Sequence, residues 1–174
     1  MDIESMANEA HRKLGTNLSL ETRQSYLANT RLSSLVDSHF QIHEIPLEDT
    51  DGAYIRQKQI HHLFVNSAHT IHRQRFTLAH EYGHFYLDHP SDNCFPDKNS
   101  VHEKEANQFA SAFLMPRSLM ISLNNYYHSM ELISDWLMVS HIAIAIRFKE
   151  IGIDNPFDLD AIIAGYQIEK VNWR

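Results

Sequence analysis

Two histidines four residues apart, His80 and His84, constrain the fold and chemistry of this chain more than any other feature. On a helix, residues at this spacing leave the same face one turn apart. Two neutral imidazoles so placed can bind one Zn²⁺ at about 2.0–2.1 Å each. Glu81 lies about 100° further round the helix, where it can take a proton from a metal-bound water. The segment therefore predicts a metal centre with Glu81 as general base.

The flanking residues favour a helix for this segment. Phe76, Leu78 and Phe85 supply the apolar stripes of a buried helix. The chain contains 13 His, so the alternative is a pair of unrelated core or surface histidines. The helical context favours the metal site over that alternative.

A catalytic zinc site usually needs a third protein ligand and an open position. One known pattern would place Gly at position 87 and His at position 90, but this chain has Leu87 and Pro90. The ligand is therefore expected on a following helix, which carries Glu103 and Glu105. Glu105 is preferred because its position tends towards the apolar face of Phe109, whereas Glu103 lies on a more mixed face. The alternative for Glu105 is a solvated helix charge, and a His₂Glu set could also accept Mn²⁺ or Fe²⁺.

Hydrophobic periodicity predicts an α+β fold. A small three-stranded antiparallel sheet is expected to pack against the active-site helix and several further helices. Helices are predicted at 2–13, 19–37, 71–87, 101–114, 130–138 and 141–151, and strands at 40–45, 53–56 and 60–65. Ser140 is expected to cap the last helix and Gly152 to end it. The predicted domains are a unit over 1–125, which contains the metal-site helix and the N-terminal helices, and a small helix–turn–helix-like segment over 126–174.

Composition indicates a cytoplasmic protein without a membrane span. The single cysteine, Cys94, excludes an intrachain disulfide and fits a reducing compartment. No basic and apolar leader opens the chain, and no apolar stretch approaches the roughly 20 residues that span a bilayer. The net charge of −7 argues against broad nucleic-acid binding.

The sequence also resembles a known family. The residues Arg75-Phe76-Thr77-Leu78-Ala79-His80-Glu81-Tyr82-Gly83-His84, then Glu105-Ala106-Asn107-Gln108-Phe109-Ala110 and Leu114-Met115-Pro116, look like the ImmA/IrrE metallo-endopeptidases. The resemblance covers about residues 40–152.

This resemblance implies a zincin-like fold and a peptidase with one Zn²⁺ per chain, from the bacterial or phage cytosol. It implies His80, His84 and Glu105 as ligands and Glu81 as base. Family members typically cleave a helix–turn–helix repressor and so relieve transcription of stress-response or mobile-element genes. A protein substrate of that kind, encoded nearby, is therefore the expected partner.

Two other functions fit parts of the sequence. A regulatory or toxin-like protein could keep the metal fold and act by binding rather than by proteolysis. A DNA-binding regulator could use residues 130–151, but the acidic charge balance argues against it. So do the apolar Ile142, Ile144 and Ile146, since a base-reading helix would expose Arg, Asn or Gln.

Other residues are candidates for supporting roles at the site. Asp88, four residues after His84, is a candidate for orienting its ring, with a solvated Asp as the alternative. The segment 52–65 could hold a substrate as an added strand or simply complete the core. Candidates for stabilising the developing oxyanion are Tyr54, Tyr86, His102 and Tyr126, and nothing in the sequence selects among them. His102 is the best placed because it shares a helix with Glu105, with a plain surface histidine as the favoured alternative.

Overall fold

The protein has the predicted α+β architecture. The structure, a computed structural model, describes residues 2–15, 23–30, 32, 39–90 and 100–172. The elements are α1 (Ile3–Lys13), α2 (Arg23–Asn29), β1 (Phe40–Ile45), β2 (Gly52–Gln57), β3 (Ile60–Asn66), α3 (Ile71–Tyr86), α4 (Val101–Leu114), α5 (Arg117–Tyr126), α6 (Met130–Leu137), α7 (His141–Ile151) and α8 (Leu159–Asn172). Much of the helix expected over 19–37, and Cys94, lie outside the described residues.

The three strands form a mixed sheet in the order β1-β3-β2. β2 pairs antiparallel with β3, but β1 pairs parallel with it, so the expectation of a fully antiparallel sheet is wrong for β1. The hairpin between β2 and β3 leaves β3 in the centre, and the segment after β1 must therefore cross to the far edge. Asn66, which is buried, binds this crossing segment through hydrogen bonds to the backbones of Leu47 and Thr50.

The metal-site helix α3 lies between the sheet and α4. Strands β2 and β3 pack on one side of α3, α4 packs on the other, and α1 covers the back of α4. The core between these layers contains Leu63, Val65, Tyr82, Phe109 and Phe113. Such side chains each contribute roughly 1.5–3 kcal/mol when buried. This packing fixes α3 from two sides.

The C-terminal part is helical, as predicted, but it contains two helices that periodicity did not reveal. α5 begins directly after Pro116, and proline suits the start of a helix. α8 was also missed. Ser140 caps α7 and Gly152 ends it in a left-handed conformation, as expected. Buried Arg75 donates to the carbonyl of Leu137 and so connects α3 with α6.

None of the helices in the described part of the chain is both long and apolar enough to cross a membrane. The domain boundary at 125/126 stays a prediction.

Candidate metal centre

Three side chains converge on one point between α3 and α4. The two Nε2 atoms of His80 and His84 are 3.0 Å apart. Glu103 contributes one oxygen 3.3 Å from His80 Nε2 and the other 3.1 Å from His84 Nε2. All three potential ligand atoms lie within 4.8 Å of one another. Two imidazole nitrogens and a carboxylate form a donor set that suits Zn²⁺, and the residues present therefore fit the metal that the sequence predicted.

Close packing of the two helices brings Glu103 within reach. A Cβ atom on Gly83 would lie 3.1 Å from Phe109 Cδ1 and 3.3 Å from Ala106 Cα, so a larger residue would push α4 away. At the start of α4, Ser100 caps the helix by accepting a hydrogen bond from the backbone N–H of Glu103. The backbone of Glu103 is thus fixed at the helix terminus, where a carboxylate is favoured by the helix dipole.

Glu105, the preferred third ligand in the sequence, is not at this point of convergence. Its carboxylate lies 3.1 Å from Nε2 of His89, and its side chain is 40% exposed, against 12% for Glu103. The sequence favoured Glu105 because it placed the ligand towards the apolar face of α4. That face, with Phe109 and Phe113, fills the core, and Glu103 lies beside it. The structure brings together His80, His84 and Glu103.

Each imidazole has a partner on its other ring nitrogen. Nδ1 of His80 lies 3.0 Å from Oδ1 of Asn107, and Nδ1 of His84 lies 3.0 Å from Nδ1 of His89. Neither partner was singled out from the sequence. Asn107 could have been found from its spacing of four residues from Glu103, which places both on one helix face. The His89 contact depends on the backbone turn after α3, which periodicity does not reveal.

The proposed base, Glu81, lies on the sheet side of α3 and is 7% exposed. Burial raises its pKa to about 7, although the charge of His80 and a backbone hydrogen bond from Tyr54 oppose the shift. Gly52 allows β2 to approach, since a Cβ there would lie 3.2 Å from Glu81 Oε1. A carboxylate with a pKa near neutrality can both accept and return a proton at physiological pH.

The ionisation of the convergent groups follows from their mutual contacts. Burial lowers the pKa of His84 and favours its neutral, metal-binding form. The hydrogen bond with His80 lowers the pKa of Glu103 and keeps it ionised. Burial alone would lower the pKa of His80, but the hydrogen bond to Glu103 and the charge of Glu81 give a net increase. An imidazole–carboxylate cluster of this kind favours a cation.

The four candidates for stabilising the oxyanion have different surroundings. Tyr54 Oη is 2.8 Å from Nδ1 of His61, whereas the buried hydroxyl of Tyr86 has no hydrogen-bond partner among the described residues. Tyr126 is 77% exposed. The ring of His102 packs against that of His89, with 4.6 Å between the ring centroids. Of the four, Tyr54 is nearest to the base, through its backbone.

Comparison with known proteins supports the same interpretation. Residues 37–149 match the family model described as the IrrE N-terminal-like domain, which defines a family of peptidases. No curated protein sequence matches the chain. Among solved structures, a Mycobacterium tuberculosis transcriptional regulator shares the fold with a TM-score of 0.54 at 14% sequence identity. The match covers 84% of this chain but only 46% of that regulator, so the chain spans less than half of the regulator's length. The chain therefore belongs to the IrrE N-terminal-like peptidase family, as the resemblance to ImmA/IrrE predicted.

Proposed function

We propose that this protein is a zinc-dependent endopeptidase that hydrolyses a peptide bond in a protein substrate. The observation that carries the proposal is the convergence of His80, His84 and Glu103 within 4.8 Å, next to a buried carboxylate. These three residues would hold the ion. When bound, Zn²⁺ supplies a Lewis acid that polarises the scissile carbonyl and makes the attacking water more acidic.

Glu81 moves the proton. Its pKa of about 7 lets it accept a proton from the attacking water and pass it to the leaving amine. The backbone of Tyr54 lies beside this carboxylate and favours its ionised form. Burial of Glu81 also keeps competing bulk water away from it.

Strand β2 is the proposed binding site for the substrate backbone. It lies at the edge of the sheet, with β3 as its strand neighbour among the described residues, and its first residues adjoin Glu81. An extended peptide can add to such an edge through main-chain hydrogen bonds. A segment unfolded from a protein substrate would meet this requirement.

The proposed substrate is a helix–turn–helix transcriptional repressor encoded nearby, and the proposed compartment is the cytoplasm. The resemblance to ImmA/IrrE supports both. Cleavage of a repressor would connect the peptidase to transcription of stress-response genes.

Metal analysis of purified variants tests the site. We expect about one zinc per chain in the wild type and loss of zinc in His84→Ala and Glu103→Ala. Glu105→Ala is the matched control, because it removes a carboxylate from the same helix, and it should keep stoichiometric zinc at saturating metal. Loss of zinc from Glu105→Ala together with its retention in Glu103→Ala would reverse the ligand assignment.

Cleavage of a co-expressed repressor tests the reaction. Glu81→Gln preserves the shape of the side chain but removes the base, so it should keep zinc and abolish cleavage. If the wild type binds the repressor and never cleaves it, the protein acts by binding, as a metal-containing regulatory or toxin-like protein would.

A further inference from the structure

We propose that His89 and Glu105 form a positioning pair that fixes the ring orientation and tautomer of His84. The inference rests on the metal centre proposed above. It concerns two residues outside the convergent three, connected to them by a continuous chain of hydrogen-bond distances. His84 Nδ1 lies 3.0 Å from His89 Nδ1, and His89 Nε2 lies 3.1 Å from Glu105 Oε2.

The end of α3 delivers His89 to this position. Asp88 has a positive φ of 53°, and the chain reverses there. The N–H of Asp88 donates to the carbonyl of Phe85, and the N–H of His89 donates to the carbonyl of His84. These two bonds form a Schellman motif with Asp88 in the left-handed position. The backbone of His89 is thus tied to the residue whose side chain it contacts.

The direction of the hydrogen bonds follows from the role of His84. An imidazole that presents Nε2 to a metal carries its proton on Nδ1, and so His84 must donate to Nδ1 of His89. The ring of His89 then has its own proton on Nε2 and donates it to the Glu105 carboxylate. Only this pair of tautomers satisfies both contacts with neutral rings.

The two zinc-binding imidazoles are consequently supported in different ways. His80 donates to the neutral amide oxygen of Asn107, whereas the chain from His84 ends at a carboxylate. A negative charge at the end of the chain polarises both rings and increases the electron density that His84 offers to a metal. His89 is 6% exposed at its side chain, so water cannot easily replace it. The side chain of Glu105 is 40% exposed, so its carboxylate stays in contact with solvent.

Metal affinity measured by competition with a chelating indicator tests the pair, using Zn²⁺ and Co²⁺ on the full chain. His89→Leu removes the acceptor and should weaken binding by about 10–100-fold. His89→Asn places an amide oxygen close to the position of Nδ1 and should recover the part of that loss that comes from the contact with His84, leaving about the tenfold loss that comes from the missing bond to Glu105. Leu and Asn are both unable to reach Glu105, so a difference between them reports the contact with His84. Equal affinities in His89→Leu and the wild type would overturn the inference.

A double-mutant cycle tests the second bond. Glu105→Ala should weaken metal binding about tenfold in the wild type and leave it unchanged in the His89→Asn background, where the chain is already cut. The partner of His84 Nδ1 is His89 rather than Asp88, the candidate from the sequence. Asp88→Asn is therefore the matched control, since it removes a neighbouring carboxylate while keeping a residue that tolerates the left-handed turn. It should change affinity less than twofold. Equal losses from Glu105→Ala in both backgrounds would also overturn the inference.

The visible absorption of bound Co²⁺ supplies a readout independent of activity. Rotation of His84 changes the ligand field, so the bands should shift in His89→Leu and return towards the wild-type positions in His89→Asn. Identical bands in all three proteins would contradict a positioning role. A wild-type protein that binds neither metal would instead refute the proposed metal centre, and thus the two failures are distinguishable.

Discussion

The two sides of α3 hold the metal centre by different means. On the sheet side, β2 approaches α3 at Gly52 so closely that a Cβ atom there would lie 2.4 Å from Cγ2 of Thr77 in α3, and 2.6 Å from the backbone carbonyl oxygen of Phe64 in the neighbouring strand β3. On the α4 side, the contact with the ligands is made by the side chains of Glu103 and Asn107. The proposed base, Glu81, faces the first side, and the proposed third ligand, Glu103, comes from the second.

This difference separates the expected consequences of mutation. Backbone contacts cannot adjust without moving a strand, so changes on the sheet side should affect the whole fold. Side-chain contacts can be replaced by water or by a neighbouring group, so changes to the α4 side chains that contact the ligands should affect metal binding first.

The largest effect is expected from Gly52→Ala. The new methyl group would lie 2.4 Å from Thr77 Cγ2 as well as close to the Phe64 carbonyl, so β2 or α3 must shift. Overpacking of this kind should lower the free energy of unfolding by about 3 kcal/mol or more, measured by urea denaturation at neutral pH. Cleavage should also fall, because Glu81 adjoins the same position.

Gly165→Ala is the matched control for this prediction. Gly165 lies in α8, where a Cβ would meet no atom within 4 Å. The helix should gain up to about 1 kcal/mol from the better helix former. Equal stability of Gly52→Ala and Gly165→Ala would show that the backbone contact on the sheet side is not rigid.

A smaller effect is expected at low pH, through α1, which packs against α4. His11 on α1 is fully buried, stacks on Phe113, and lies 2.7 Å from its carbonyl oxygen through Nε2. The neutral ring donates that bond, and its Nδ1 has no partner among the described residues. Burial lowers the pKa of His11 to about 4. Protonation would therefore add a buried charge without an acceptor for it.

The sign of the pH dependence follows from this shift. Between the ordinary pKa of 6.5 and the lowered value of about 4, the unfolded chain binds a proton that the folded protein does not. The contribution of neutral His11 to the free energy of unfolding is fully present above pH 6.5 and decreases as the pH falls. At about pH 5 the free energy of unfolding should be lower by about 2 kcal/mol. His11→Gln can keep the hydrogen bond and does not titrate. The unfolding free energies of the two proteins should converge or cross on acidification, and parallel curves would contradict the prediction.

The sequence predicted the parts of the molecule that depend on local spacing. The helix through His80 and His84, the capping Ser140 and the strand bounds follow from periods and end signals within single elements. The parallel pairing of β1 could not be predicted, because alternation in a strand does not identify its neighbour. The sequence offered both Glu103 and Glu105 but could not show which of them lies beside His80 and His84, since that depends on how α4 rotates against α3 around Gly83.

The smallest effect is expected on the α4 side, from Asn107. Asn107→Leu removes the acceptor for His80 Nδ1–H, and the affinity for Zn²⁺ should fall by at most about tenfold. The loss should be smaller than in His89→Leu because Asn107 is exposed and water can take the place of its amide. Asn107→Asp keeps an acceptor and should bind metal more tightly than Asn107→Leu.

Gln108→Leu is the matched control for Asn107, being exposed on the same helix. It should leave both metal affinity and the free energy of unfolding unchanged. If Asn107→Leu instead lowers the unfolding free energy as much as Gly52→Ala does, α4 is held as rigidly as the sheet, and the proposed difference between the two sides of α3 is wrong. If it lowers metal affinity alone, the α4 side serves to orient the ligands while the sheet side maintains the fold.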